Sequence, residues 1–241
     1  MIASLTILVS QGFVNGKHTF FIMFIKLDKH SYVQRKLYNY FERAFKYKSK
    51  LLEWNEMSIE SPDNELVTKL SAAKDFSDVF ELVEEALIKT LNRKRGGIML
   101  GLQDLGAQRN YFIGAYHVVG SNWIVINKTP LRRIRMHAKE SDELYNAYLF
   151  HVMLHEYIHA LGITDERLCR QVTRDVTLQI IQDENHPAVK LAVQGLGALF
   201  PFMRYYTPED YAMLERSPDQ RGMPRIEVVR GFNRKNTQYF S

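Results

Sequence analysis

Residues 155–159 read His155-Glu156-Tyr157-Ile158-His159. On a helix, histidines four apart stand about 40° from one another around the axis, with Cβ atoms about 6 Å apart, so both imidazoles can reach one Zn²⁺ at about 2.0–2.1 Å. Glu156 is turned about 100° from His155, too far to be a comfortable third ligand but near enough to take a proton from a water beside the metal. The spacing therefore supplies two ligands and one base. By composition, about one chain of this size in a hundred carries such a pentapeptide by chance, so the flanking residues must decide how much weight it bears. Gly162 follows His159, and Asp165 follows Gly162, each at an interval of three.

Such residues need a rigid element to hold them. Ser141 is a good N-cap, with Asp142 and Glu143 in the dipole-favoured first turn, and the helical pattern runs from there to Gly162. Ala147, Phe150, Met153, Leu154, Tyr157 and Leu161 lie away from the histidines and predict a buried back, interrupted by Asn146 near its start, where the helix emerges from solvent. Tyr148, His151, His155, His159 and Gly162 share the opposite stripe. His151 lies about 12 Å along the axis from His159, so it is expected to line a cleft rather than share an ion with it. Short β-branched or aromatic runs at 98–102, 111–119 and 123–128 predict strands, the last two joined as a hairpin by Gly120-Ser121-Asn122. Upstream, Ser61-Pro62-Asp63-Asn64 marks a turn. A helix over Phe76–Leu91 carries the apolar stripe Val79, Phe80, Leu82, Val83, Ala86 and Leu87 and ends in Arg93-Lys94-Arg95-Gly96-Gly97, a cationic turn followed by glycine, as the helix dipole and C-cap chemistry favour. Downstream, the pattern predicts helices over 165–182, 187–199 and 208–216 and a strand at 226–229. The fold class expected is α+β: a small mixed β-sheet packed on the long helix, with further helices after it.

The 241 residues, 46% hydrophobic and 24% charged, suffice for one sizeable core, and the division expected is an N-terminal extension over 1–25 followed by one domain over 26–241. The apolar runs 2–9 and 19–25 are each too short to span a bilayer. They predict either a β-hairpin turned at Asn15-Gly16 or a leader upstream of a start at Met23. One cysteine, Cys169, excludes an intrachain disulfide and fits a reducing, cytoplasmic setting, where a small buried side chain is the ordinary role for it. The net charge of +5 is concentrated in a helical stretch over 29–50, where lysines and arginines interleave with Tyr32, Tyr38, Tyr40 and Tyr47. A solvated outer face is the ordinary reading of such a stretch, and contact with nucleic acid is the alternative partner.

The run His155-Glu156-x-x-His159-x-x-Gly162-x-x-Asp165 resembles the extended motif of the metzincin clan of zincin metallopeptidases, over eleven residues of the chain. Most metzincins carry a third histidine where this chain has Asp165, which is similar to the small snapalysin-type proteases. The resemblance implies a zincin-like fold, a peptide or protein substrate, Zn²⁺ on His155, His159 and Asp165, and Glu156 as general base. Glu166 is the alternative third ligand, in the manner of gluzincin-like enzymes, with Thr164 as N-cap placing both acids in the first turn of the next helix. Asp175 and His186 are more distant choices. The resemblance further implies a methionine turn, for which Phe202-Met203-Arg204-Tyr205-Tyr206 is the candidate; an ordinary aromatic loop is the plainer reading. It also implies an edge strand that receives an extended substrate, for which Trp123–Asn127 is the candidate. His117, Tyr116 or Tyr205 would then face the developing oxyanion.

Overall fold

The apolar runs near the N-terminus pair with each other. Strand β1 (Leu8–Val14) lies antiparallel to β2 (Lys17–Met23) with Val14 opposite Lys17, which leaves two residues for the connection, as Asn15-Gly16 predicts. The computed structural model describes residues 8–14, 17–23, 64–106, 113–137, 142–201 and 225–232. Asn15 and Gly16, the basic stretch 29–50, the turn residues 61–63, Ser141, the helix expected over 208–216, Met203 and Tyr205 lie outside them. The chain divides into two units, Met1–Glu60 and Ser61–Ser241, a boundary later than residue 25. Of the described residues, the first unit holds the hairpin and the second everything else.

The second unit begins with α1 (Asn64–Ala72) and α2 (Phe76–Leu91). Asp75 caps α2 by accepting hydrogen bonds from the N–H groups of Ser77 and Asp78 at 2.8 and 2.9 Å. Asn92 ends it at φ +48, a left-handed conformation that asparagine tolerates, so the glycines at 96 and 97 are not its stop. The predicted stripe of α2 is buried throughout.

Strands β3 (Met99–Gln103), β4 (Ala115–His117), β5 (Trp123–Asn127) and β6 (Glu227–Val228) form a sheet in the order β4-β5-β3-β6. The central pair β3 and β5 is parallel and both outer pairs are antiparallel, giving the mixed sheet expected. Gly120, at φ +81, turns the β4–β5 hairpin. One expectation is corrected: Trp123–Asn127 is not an edge. Its two sides are taken by β4 and β3, and Ile124, Val125 and Ile126 are fully buried. Among the described residues, the edge on that side is β4. Asn127, also fully buried, ties the sheet together: its Oδ1 accepts from the N–H groups of Leu105 and Thr129, and its Nδ2 donates to the carbonyls of Gly106 and Ile113.

A helix follows β5 directly, where the sequence pattern predicts none. This is α3 (Lys128–His137), opened by the Asn127 side chain. Next come α4 (Asp142–Ala160), α5 (Glu166–Ile180), α6 (Pro187–Gln194) and α7 (Leu196–Leu199), the last two separated at Gly195, φ +80, instead of forming one helix over 187–199. Helix α4 is central, packed against α1, α2, α5 and α6 and against β4 and β5. It is buried on more sides than a single apolar back provides. Tyr148, from the stripe expected to face a cleft, is fully buried edge-on to Phe200, ring centroids 6.1 Å apart. Asn146 is buried too, not emerging into solvent: its Nδ2 donates to the carbonyls of Leu70 and Ala73 at 3.0 and 2.9 Å, satisfying groups that the end of α1 leaves open. No helix of the described residues is long and apolar enough to cross a membrane.

Candidate metal centre

The last turns of α4 carry His155, Glu156 and His159, and the chain then reverses at Gly162. The Ile163 N–H reaches back to the Ile158 carbonyl at 3.3 Å and the Gly162 N–H to that of His159 at 2.9 Å, the paired bonds of a Schellman ending. Gly162 sits at φ +99, which a Cβ opposes even though none of its surroundings lies within 4 Å of one. Gly162→Ala is therefore expected to cost about 1–2 kcal/mol from backbone strain alone. Urea denaturation measures it; an unchanged midpoint would show that the reversal carries no strain.

The reversal lays α5 beside the histidines. Their ring centroids are 4.8 Å apart. A carbonyl only accepts, so the 2.6 Å contact between His159 Nδ1 and the Ile163 carbonyl puts a proton on Nδ1 and turns Nε2 to the other side of the ring. That Nε2 lies 3.2 Å from Oε2 of Glu166, and His155 Nε2 lies 3.5 Å from Oε1 of the same carboxylate. Arg170 Nε donates to Oε1 at 2.8 Å and steadies it from outside.

Asp165 does not join them. It is the N-cap of α5, in place of Thr164, and its Oδ1 accepts from the Leu168 N–H at 2.8 Å. An N-cap side chain bends over its own helix to serve the free N–H groups of the first turn. Glu166, one position on and one methylene longer, reaches across to the histidines. The distant choices are placed elsewhere. His186 caps α6 through Nδ1, with Nε2 4.0 Å from Glu143, and Asp175 is nine residues along α5 from Glu166, about 13 Å of helix.

No known family model, curated protein or solved structure matches this chain.

The site must be read from its own chemistry. His155, His159 and Cys169 offer ligand atoms all within 4.8 Å of one another, a group able to hold a metal ion. Cys169 is fully buried. Its Sγ donates to the His155 carbonyl at 3.2 Å and lies 3.6 Å from His155 Nδ1. Burial, reinforced by the carboxylates of Glu156 and Glu166, pushes its thiol far up, so it stands as a protonated donor. Its role behind the histidine had one trace in the sequence, the interval of three from Glu166 that puts both on one face of α5.

Burial works against the Glu166 carboxylate, but His155 and Arg170 outweigh it and hold it below the usual range. Burial pushes Glu156, 7% exposed, well above that range; the charge of Glu166 adds to this, while His159 and the His117 backbone N–H oppose it. His155 is shifted down, chiefly by burial.

These groups open on a cleft of ≈1060 Å³ between β4, α4, α5 and the α6–α7 junction. His151 lines it, as expected, one turn before His155; burial and then the charge of His155 lower it to about 4, so its ring is neutral. The described oxyanion candidates spend their donors elsewhere. Tyr116 donates its hydroxyl to Gln103 Oε1 at 2.7 Å, and His117 gives its Nδ1 proton to the Trp123 carbonyl at 2.9 Å. Arg95, unremarked in the sequence except as a helix-end charge, spans the wall. Its guanidinium donates to the Ala160 carbonyl, the Ser121 carbonyl and Asn122 Oδ1, fastening the end of α4 to the β4–β5 turn.

Proposed function

We propose that the chain is a zinc-dependent metallopeptidase in the manner of the zincins, with His155, His159 and Glu166 as ligands and Glu156 as general base. One observation carries this reading: the Nε2 atoms of both imidazoles lie within 3.5 Å of the one Glu166 carboxylate, while an interaction on the far side occupies each ring's Nδ1. Three electron-pair donors facing one another are stabilised by a cation at their meeting point, and two nitrogens with one carboxylate oxygen is a donor set that zinc takes at catalytic sites. When bound there, zinc supplies Lewis acidity and a water acidic near neutral pH.

The chain's own residues do the rest. Glu156, turned from the ligands along α4, takes the proton of the attacking water and returns it to the leaving amine. Strand β4 borders the cleft and offers an extended peptide a backbone to pair with. Arg95 keeps that strand's turn at a fixed distance from the helix. The free, buried Cys169 supports a reducing, cytoplasmic setting.

The test is metal content followed by proteolysis. Protein purified under zinc-replete conditions is expected to hold about one zinc per chain, as a three-ligand site requires, and to cleave an unfolded protein such as casein. His155→Ala is expected to lose both properties. Folded wild-type protein that takes up no zinc under those conditions would overturn the reading.

A further inference from the structure

Helix α5 grips His155 at both ring nitrogens. Glu166 and Cys169 stand one turn apart on the same face; the first meets Nε2 at 3.5 Å and the second meets Nδ1 at 3.6 Å. The cysteine makes a second contact with the same residue, since its S–H donates to the His155 backbone carbonyl at 3.2 Å. With its hydrogen so directed, sulfur has only lone pairs left to offer Nδ1. In the neutral ring it therefore selects the tautomer that carries the proton on Nδ1 and leaves the lone pair on Nε2. His159 obtains the same selection from the Ile163 carbonyl. The two histidines are thus held alike by unlike groups, one by a carbonyl of the Gly162 reversal and the other by a buried thiol.

From this we infer that Cys169 is a positioning residue for the metal, which acts through His155 by fixing its tautomer and ring orientation and does not itself ligate. The inference rests on the zinc reading above. Outer hydrogen bonds of this kind typically account for 10- to 100-fold in metal affinity. The packing agrees with a fixed role: Cys169 is fully buried, and the hydroxyl of Thr173 donates to its carbonyl one turn on.

The experiment uses the full chain, stripped of metal and titrated with Zn²⁺ against a chromophoric chelator, then with Co²⁺ as a spectroscopic probe. Cys169→Ala is expected to weaken Zn²⁺ binding about 10- to 100-fold. Cys169→Ser keeps a group that both donates and accepts, and is expected to restore most of that loss. The wild-type Co²⁺ form is expected to show visible d–d bands without the intense near-ultraviolet band of a cobalt–thiolate bond. That band in wild type, absent from the serine variant, would make Cys169 a ligand and overturn the inference while leaving a metal site in place. Equal Zn²⁺ affinity in wild type and the alanine variant would overturn it too. A wild-type chain that binds neither ion removes both the inference and the reading beneath it.

Discussion

Glu156→Gln should leave about one zinc per chain and abolish most hydrolysis, lowering kcat by about 10²- to 10⁴-fold, the span that general-base groups supply. Glutamine keeps the shape of the side chain and its acceptor oxygen, so the packing around a residue only 7% exposed is preserved. It cannot take up a proton. The carboxylate lies near the His117 backbone N–H and on the cleft, within reach of the charges of His159 and Glu166. The variant therefore separates base from ligand. Metal analysis and casein cleavage on the same sample read both roles: loss of zinc would make Glu156 a ligand, and cleavage near the wild-type rate would exclude it as the base.

What the sequence made legible was mostly local. The hairpin of β1 and β2, the α2 stripe, the β4–β5 turn at Gly120 and the reversal at Gly162 each follow from a few adjacent residues and the conformations they allow. Polar side chains that work at long range were misread. Asn146 looks like a defect in an apolar face because the carbonyls it satisfies, Leu70 and Ala73, lie at the end of a helix more than seventy positions earlier. Arg95 looked like a charge that favours a helix end, yet it binds the end of a different helix and a turn of the sheet. Its own backbone N–H and carbonyl both meet the hydroxyl of Tyr157, inside the histidine motif, at 2.8 and 2.9 Å.

Helix α3 was hidden for a different reason. Arg132, Arg133 and Arg135 crowd a ten-residue segment whose buried apolar residues are only Pro130, Leu131 and Ile134. Arg133 is itself buried, its aliphatic stem extending a face that a hydropathy count scores as polar. The edge strand was misassigned because β4 is only three residues long, and none of its three residues is buried. The hydrophobic run at Trp123–Asn127 gives the stronger strand signal because it is the interior strand. Burial strengthens a strand's pattern and also removes its free edge, so the clearest run is a poor guide to where a substrate can pair.

The ligand set turns on one position in a helix. Both Asp165 and Glu166 suit the start of α5, where a carboxylate is favourable for structural reasons alone, so composition could not choose between them. The cap decides it. Asp165 is occupied by the Leu168 N–H, whereas Glu166 spans both Nε2 atoms and is braced by Arg170. Glu166→Ala is therefore expected to weaken Zn²⁺ binding by more than the roughly 100-fold that loss of an outer hydrogen bond costs, because a donor itself is gone. Asp165→Ala is expected to keep the metal and to lose about 1 kcal/mol of stability through the cap. Chelator competition and urea denaturation on the two variants form a cross: each substitution moves one measurement and spares the other. The reverse pattern, with zinc lost in Asp165→Ala and retained in Glu166→Ala, would return the third ligand to the position that the metzincin resemblance implies. Thr164 would then take over the cap, with α5 beginning at Asp165.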